Sequence, residues 1–256
     1  MLERECVQHS TLAGRVTWWL GDTAMTTSSA SPVQTDGAHQ VPRLQLALDT
    51  TTLDAGLGPL QKSAPWIDVI EVGTILCLAE GMRAVRTIRT LFPEKTILAD
   101  VRIAEAGSLI SKMAFEAGAD WVSVVSGAAL ATVEAVVSQA RKHNGDVQIE
   151  LIDGWRMEDA CRWRELGVGQ VITHRSRDAE ARGELTWSDK DFDEVRSLAQ
   201  MGFKVTVTGG IGLKDIPLFA GVPVFIFIVG RGIYQAQDPA LAAKSFREAI
   251  EATFRS

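Results

Sequence analysis

The sequence predicts a (β/α)8 TIM barrel with a disordered N-terminal extension, and three observations lead there. Eight short runs rich in β-branched and apolar residues recur from Leu44 onward. Most are nearly continuous in apolar character, the pattern of strands buried on both faces of a parallel sheet. Helical patterns lie between them at the spacing of a βα unit, and eight such units close a barrel. An open doubly wound sheet is the alternative. It calls for a topological switch point and usually a Gly-rich loop after the first strand, and Asp49-Thr50-Thr51-Thr52 is not one.

The strands are expected at Leu44–Asp49, Asp68–Val72, Thr96–Val101, Trp121–Val125, Val147–Leu151, Gln170–Thr173, Phe203–Thr208 and Val224–Val229. Helices are expected over Glu80–Leu91, where Met82, Val85, Ile88 and Leu91 recur at spacing three, and over Ala106–Ala117, Ala129–Lys142, Met157–Leu166, Asp189–Met201 and Ala240–Phe254. Gly118, Gly145, Gly167 and Gly202 stand near the helix ends, where a left-handed residue is favoured. Residues 1–42 read differently. Thr23–Gln40 is small and polar with no hydrophobic period, which marks a disordered segment, so the catalytic domain is expected over 43–256. Glu3 and Glu5 at the start and the short apolar patch Val16–Leu20 do not make a signal peptide.

Composition narrows the function. The chain of 256 residues carries a formal net charge of −6, without the basic stripe of a nucleic-acid binder. A local pocket can still be positive on an acidic protein. No apolar run reaches ~18 residues, so no membrane partner is expected. Cys6, Cys77 and Cys161 form no CxxC and no zinc spacing, and the four histidines are scattered. A reducing cytoplasm is the simplest location.

In a (β/α)8 barrel the reactive face lies at the strand C-termini. The strand ends here offer Asp49, Glu71, Asp100 with Arg102, Ser126, Glu150, His174 with Arg175 and Arg177, Thr208-Gly209-Gly210 and Gly230-Arg231-Gly232. Any one of these has an ordinary use in capping a helix or meeting solvent. Six of eight strands delivering an ionisable group to one rim point to a site. The glycines after strands seven and eight leave backbone N–H groups open to an anion, phosphate sites in this fold commonly sit there, and Arg231 adds a bidentate donor. Tight turns alone would also use such glycines. Asp49, Glu71, Asp100 and Glu150 at one mouth repel each other unless positive charge lies among them. Arg102 supplies part, and Mg²⁺, which accepts one or two carboxylates plus substrate oxygens, is the natural remainder. Balance by arginines alone stays open on these residues.

Five segments carry a resemblance: Leu44–Asp49 (LQLALD), Asp68–Cys77 (DVIEVGTILC), Asn144–Leu151 (NGDVQIEL), His174–Ala179 (HRSRDA) and Met201–Gly210 (MGFKVTVTGG). From Leu44 to the C-terminus the chain resembles the 3-keto-L-gulonate 6-phosphate decarboxylases of the orotidine 5'-phosphate decarboxylase superfamily, with hexulose-6-phosphate synthase as their nearest relative. The resemblance implies a (β/α)8 homodimer with active sites at the interface, Mg²⁺ as cofactor, and a phosphorylated keto sugar acid as substrate. It implies loss of CO2 to give a pentulose 5-phosphate through a metal-held cis-enediolate, in L-ascorbate catabolism. On it, Glu71 and Asp100 ligate Mg²⁺, and Asp49 and Glu150 hold substrate hydroxyls. His174 and Arg177 manage protonation through water. Gly209, Gly210, Gly230 and Arg231 cradle the phosphate beside Thr208.

One motif departs. The family's Asp-x-Lys-x-x-Asp reads here Asp100-Val101-Arg102-Ile103-Ala104-Glu105. Arginine stays charged where lysine can give up a proton, which weighs against orotidine 5'-phosphate decarboxylation. It is compatible with electrostatic stabilisation of an enediolate. Glu105 is expected in the partner subunit's site. Two other readings remain: aldol addition of formaldehyde to ribulose 5-phosphate, and a catalytically weak phosphosugar-binding barrel.

Overall fold

The computed structural model describes residues 41–175 and 187–255. Eight parallel strands, each hydrogen-bonded to the next, close into a barrel as β1–β8 in chain order. They are β1 Arg43–Leu48, β2 Val69–Val72, β3 Thr96–Ile103, β4 Trp121–Val125, β5 Asp146–Leu151, β6 Gln170–His174, β7 Lys204–Thr208 and β8 Val224–Val229. The predicted barrel is therefore present, and all eight expected strands pair. The extension expected over residues 1–42 lies outside the described residues except for Val41 and Pro42, and Val41 packs on the core.

The helices are α1 Leu53–Ser63, α2 Thr74–Glu80, α3 Met82–Leu91, α4 Gly107–Glu116, α5 Leu130–Lys142, α6 Met157–Leu166, α7 Asp189–Gln200, α8 Arg231–Tyr234 and α9 Pro239–Phe254. Helix α1 was not expected, because Gly56, Gly58 and Pro59 interrupt its pattern. It forms because Thr52 caps it by accepting from the Ala55 N–H at 3.3 Å, worth about 1 kcal/mol, and because Leu53 and Leu60 are buried. The single helix expected over Glu80–Leu91 begins earlier as α2 and breaks at Gly81, whose φ of 61° ends one helix and starts the next. The left-handed residue after α5 is Asn144, φ 54°, and not Gly145.

Inner and outer strand faces bury different chemistry. Outward residues such as Leu46, Ile70, Val122, Ile149, Val171, Val207 and Phe227 join the helices in one large apolar core. Inward residues carry a smaller apolar cluster of Ala47, Val69, Ile172, Ile226 and Ile228, beside the buried Gln45, Ser123, Gln148, Gln170 and Thr206. Following the register around the barrel, stepping up two residues at every second strand, stacks these side chains in layers. Gln45, Leu98, Gln148 and Thr206 form one layer. Glu71, Ser123, Ile172 and Ile228 lie above it, and Ala47, Asp100, Glu150 and Thr208 form the mouth.

Candidate active site

The mouth opens into a cavity of ≈ 940 Å³ that brings together eleven of the expected site residues: Asp49, Glu71, Asp100, Arg102, Glu150, His174, Thr208, Gly209, Gly210, Gly230 and Arg231. Glu105 does not line it. It follows the end of β3 and is exposed. Arg177 lies outside the described residues.

Strand β3 builds the centre. It runs two residues past its expected end, and its pairing with β4 shifts between Ala99 and Ile103, the signature of an irregularity that re-aims side chains. Inside that shift Arg102 takes φ 44°, a left-handed conformation that costs a non-glycine residue ~1 kcal/mol. Ser123 on β4 holds the distortion in place. Its Oγ accepts from the Arg102 N–H at 2.9 Å and donates to Asp100 Oδ1 at 2.6 Å. Thr74, the first residue of α2, donates to Asp100 Oδ2 at 2.5 Å. Two hydroxyls thus fix both oxygens of Asp100, and only its position at a strand end was legible in the sequence. Ser123 and Thr74 were missed. For Ser123 the signal was a lone small polar residue in the apolar run WVSVV.

The Arg102 guanidinium then spans two carboxylates, with Nη2 2.7 Å from Glu150 Oε1 and Nε 3.6 Å from Asp100 Oδ2. Burial works against its charge, but Glu150 first and Asp100 next more than offset this, so it is held above its ordinary value. His174 Nδ1 sits 3.4 Å from the same Glu150 oxygen. Glu150 is pushed up to about 7, by burial first and by Asp100 next, with Arg102 pulling the other way. Its second oxygen, Oε2, is buried without a hydrogen-bond donor among the described residues.

Glu71 rises from the layer below. Gln45 Nε2 donates to its Oε2 at 2.6 Å. Burial, then repulsion from Asp100, Asp49 and Glu150, raises Glu71 well above the usual carboxylate range. Asp49 is placed by a close approach: a Cβ at Gly73 would stand 2.3 Å from Asp49 Oδ1 and 2.7 Å from the Leu48 carbonyl oxygen. Glycine at 73 lets α2 start hard against the end of β1.

Among the described residues no group of three or more His, Cys, Asp or Glu side chains is arranged to hold a metal ion. A divalent cation here would need one or two carboxylates completed by oxygens from water and substrate, which Mg²⁺ accepts. The donor chemistry fits such an ion: Glu71 and Asp100 are buried carboxylates in a mouth with a surplus of acid, and Glu150 Oε2 has no hydrogen-bond partner among the described residues.

Opposite the acids, β7 ends in Thr208-Gly209-Gly210 with φ 104° at Gly209 and 65° at Gly210. A Cβ at Gly209 would stand 2.6 Å from Arg175 Cβ. Gly230 and Arg231 follow β8 on the same wall. Cationic and peptide-lined on one side, acidic on the other, the cavity suits a polyhydroxylated anion.

Residues 42–246 match the family described as orotidine 5'-phosphate decarboxylase / HUMPS. The chain belongs to this family. A 3-keto-L-gulonate-6-phosphate decarboxylase of Escherichia coli K12 is 49% identical over 210 residues, 82% of this chain and 97% of that one. Among solved structures, a ligand complex of KGPDC from Streptococcus mutans superposes with TM-score 0.82 and 39% identity, covering 84% of this chain and all of that one. The 3-keto-L-gulonate-6-phosphate decarboxylase of Vibrio cholerae O1 biovar El Tor gives TM-score 0.78 and 42% identity over 84% of this chain and 99% of its own. For this family member, the family match takes in all eight strands and ends within α9.

Proposed function

We propose that this protein decarboxylates 3-keto-L-gulonate 6-phosphate to L-xylulose 5-phosphate, as the names of its most similar relatives suggest. The observation that carries the reading is one cavity lined both by five carboxylates, Asp49, Glu71, Asp100, Glu150 and Asp153, with the Arg102 guanidinium, and by the two glycine turns with Arg231. Thr208, Gly209, Gly210, Gly230 and Arg231 hold the phosphate, which sets the sugar chain across the mouth. Asp49 and Glu150 accept hydrogen bonds from its hydroxyls. This fixed pose aligns the breaking C–C bond before reaction.

Loss of CO2 beside a ketone leaves an enediolate. Glu71 and Asp100 are the residues to hold Mg²⁺, which when bound supplies positive charge to the oxygens where negative charge develops. Arg102, already pinned by Glu150 and Asp100, is preorganised to add to that charge. It carries no exchangeable role as an acid, because a guanidinium stays protonated. His174, steadied by Glu150, directs a proton from water to the enediolate carbon that lost CO2, with Arg177 as its companion.

The assembly we propose is a homodimer with sites at its interface. Leu78 on α2 is 80% exposed, and Leu109 and Met113 on α4 are 63% and 49% exposed. Such exposed apolar residues suit a protein interface. Glu105 leads into α4 and stands outside its own cavity, where it can serve a partner's. We also propose a cytoplasmic protein in L-ascorbate catabolism whose residues 1–42 form an extension outside the catalytic barrel 43–256. Among the described residues no helix is long and apolar enough to cross a membrane.

A panel of keto sugar-acid phosphates with Mg²⁺, followed by product analysis, tests the activity. CO2 release with formation of a pentulose 5-phosphate is expected. Formaldehyde consumption with ribulose 5-phosphate, without CO2 release from any keto acid, would overturn it.

A further inference from the structure

Arg175 belongs to none of the roles above, yet it is one of the most tightly held side chains at the mouth. Its Nε and Nη2 both donate to the Gly209 carbonyl oxygen, at 3.2 and 2.9 Å. Its guanidinium carbon lies 3.9 Å from the ring centroid of Trp187, within the range of a cation–π contact. Trp187 in turn meets Phe219 edge-on at 4.8 Å, and Phe219 meets Phe227 at 5.2 Å. Phe219 and Phe227 are both fully buried. A column of aromatic rings therefore runs from the core to the back of one guanidinium, whose front grips one peptide of the turn after β7.

The grip extends the sheet. His174 pairs with Thr208 at the end of the β6–β7 ladder, and the Arg175 N–H donates to the Thr208 carbonyl oxygen at 3.3 Å. One step further, the Arg175 side chain replaces the next backbone donor. Gly209 has φ 104° and no room for a Cβ against the backbone and Cβ of Arg175, so the turn packs directly on the strand end that carries the arginine. In a trans peptide the N–H points opposite to the C=O. Fixing the Gly209 carbonyl on Arg175 thus fixes the direction of the Gly210 N–H, away from the clamp.

We propose that Arg175, stacked on Trp187, is a positioning residue for anion recognition: it sets the Thr208–Gly210 turn so that its backbone donors are preorganised for the phosphate of the substrate. The inference deepens the phosphate assignment made above and rests on it. The ligand chemistry is a phosphate monoester dianion, and the contribution is one of binding, not of chemistry at the carbon that loses CO2.

Equilibrium binding of inorganic phosphate by calorimetry, together with steady-state kinetics, tests this on the full chain. Arg175→Met is expected to weaken phosphate binding at least tenfold and to raise KM by a similar factor, with kcat changed less than threefold. Trp187→Leu removes no charge, so a mere loss of positive potential would leave it silent; the clamp predicts the same KM-selective loss at smaller amplitude. Arg231→Ala is the reference for direct phosphate contact. Wild-type phosphate affinity in both Arg175→Met and Trp187→Leu, with affinity lost in Arg231→Ala, would overturn the clamp and leave the phosphate assignment standing. Wild-type affinity in all three would remove the assignment and the clamp together. A loss in Arg175→Met matched by an unchanged Trp187→Leu would reduce Arg175 to a charge and also overturn the positioning role.

Discussion

Glu150→Gln separates the electrostatic cost of the mouth from its chemistry. In the folded protein the Glu150 carboxyl is raised from its ordinary 4.5 to about 7, by burial first and by the charge of Asp100 next. A carboxyl raised on folding holds its proton longer in the native state, so stability falls as pH rises. The penalty is absent below about 4.5, grows between 4.5 and about 7, and is complete above that. At about 1.4 kcal/mol per pH unit, that window amounts to roughly 3 kcal/mol. Glutamine keeps the oxygen that accepts from Arg102 Nη2 at 2.7 Å and removes the titration. Denaturant unfolding of both proteins in the presence of a chelator, from pH 4.5 to 8.5, reads the difference. The variant is expected to gain up to roughly 3 kcal/mol on the parent as pH rises, with most of the change below pH 7, while losing turnover. Parallel stability curves across that range would refute the reasoning.

Three further outcomes follow from the geometry. Asp100→Asn keeps a partner for Thr74 and Ser123 but removes the charge, so it is expected to lower Mg²⁺-dependent kcat by roughly 10²-fold or more with the fold intact by circular dichroism. Gly73→Ala places a methyl 2.3 Å from Asp49 Oδ1; the shift it forces is expected to cost about 1–3 kcal/mol of stability and to lower kcat/KM, which thermal melts and kinetics measure together. Removing residues 1–40 is expected to leave kcat and KM unchanged within twofold.

The barrel was legible because its outer core is written in nearly every strand: Ile70, Val122, Ile149 and Val207 each follow the rule for a face covered by helices. The interior was harder to read. Gln45, Gln148 and Thr206 sit inside runs that look continuously apolar, and only the closed register turns them inward to one layer. Helix α1 was lost to Gly56, Gly58 and Pro59, whose local cost the packing of Leu53 and Leu60 overrides. The charged site residues were legible from their strand-end positions. Their supports were not: Thr74 and Ser123 act through hydrogen bonds of 2.5 and 2.9 Å across different units, Gly73 acts by leaving room for Asp49, and such contacts leave no local pattern. The left-handed Arg102 gave no sequence sign either, since its strain is held by Ser123 from the neighbouring strand.

The central claim is that this mouth drives loss of CO2 from a phosphorylated keto acid with a divalent cation between its acids. Protein stripped by a chelator, dialysed and given 3-keto-L-gulonate 6-phosphate should release no CO2 until Mg²⁺ is added, and then release it in step with L-xylulose 5-phosphate. Undiminished CO2 release with the chelator still present would contradict it.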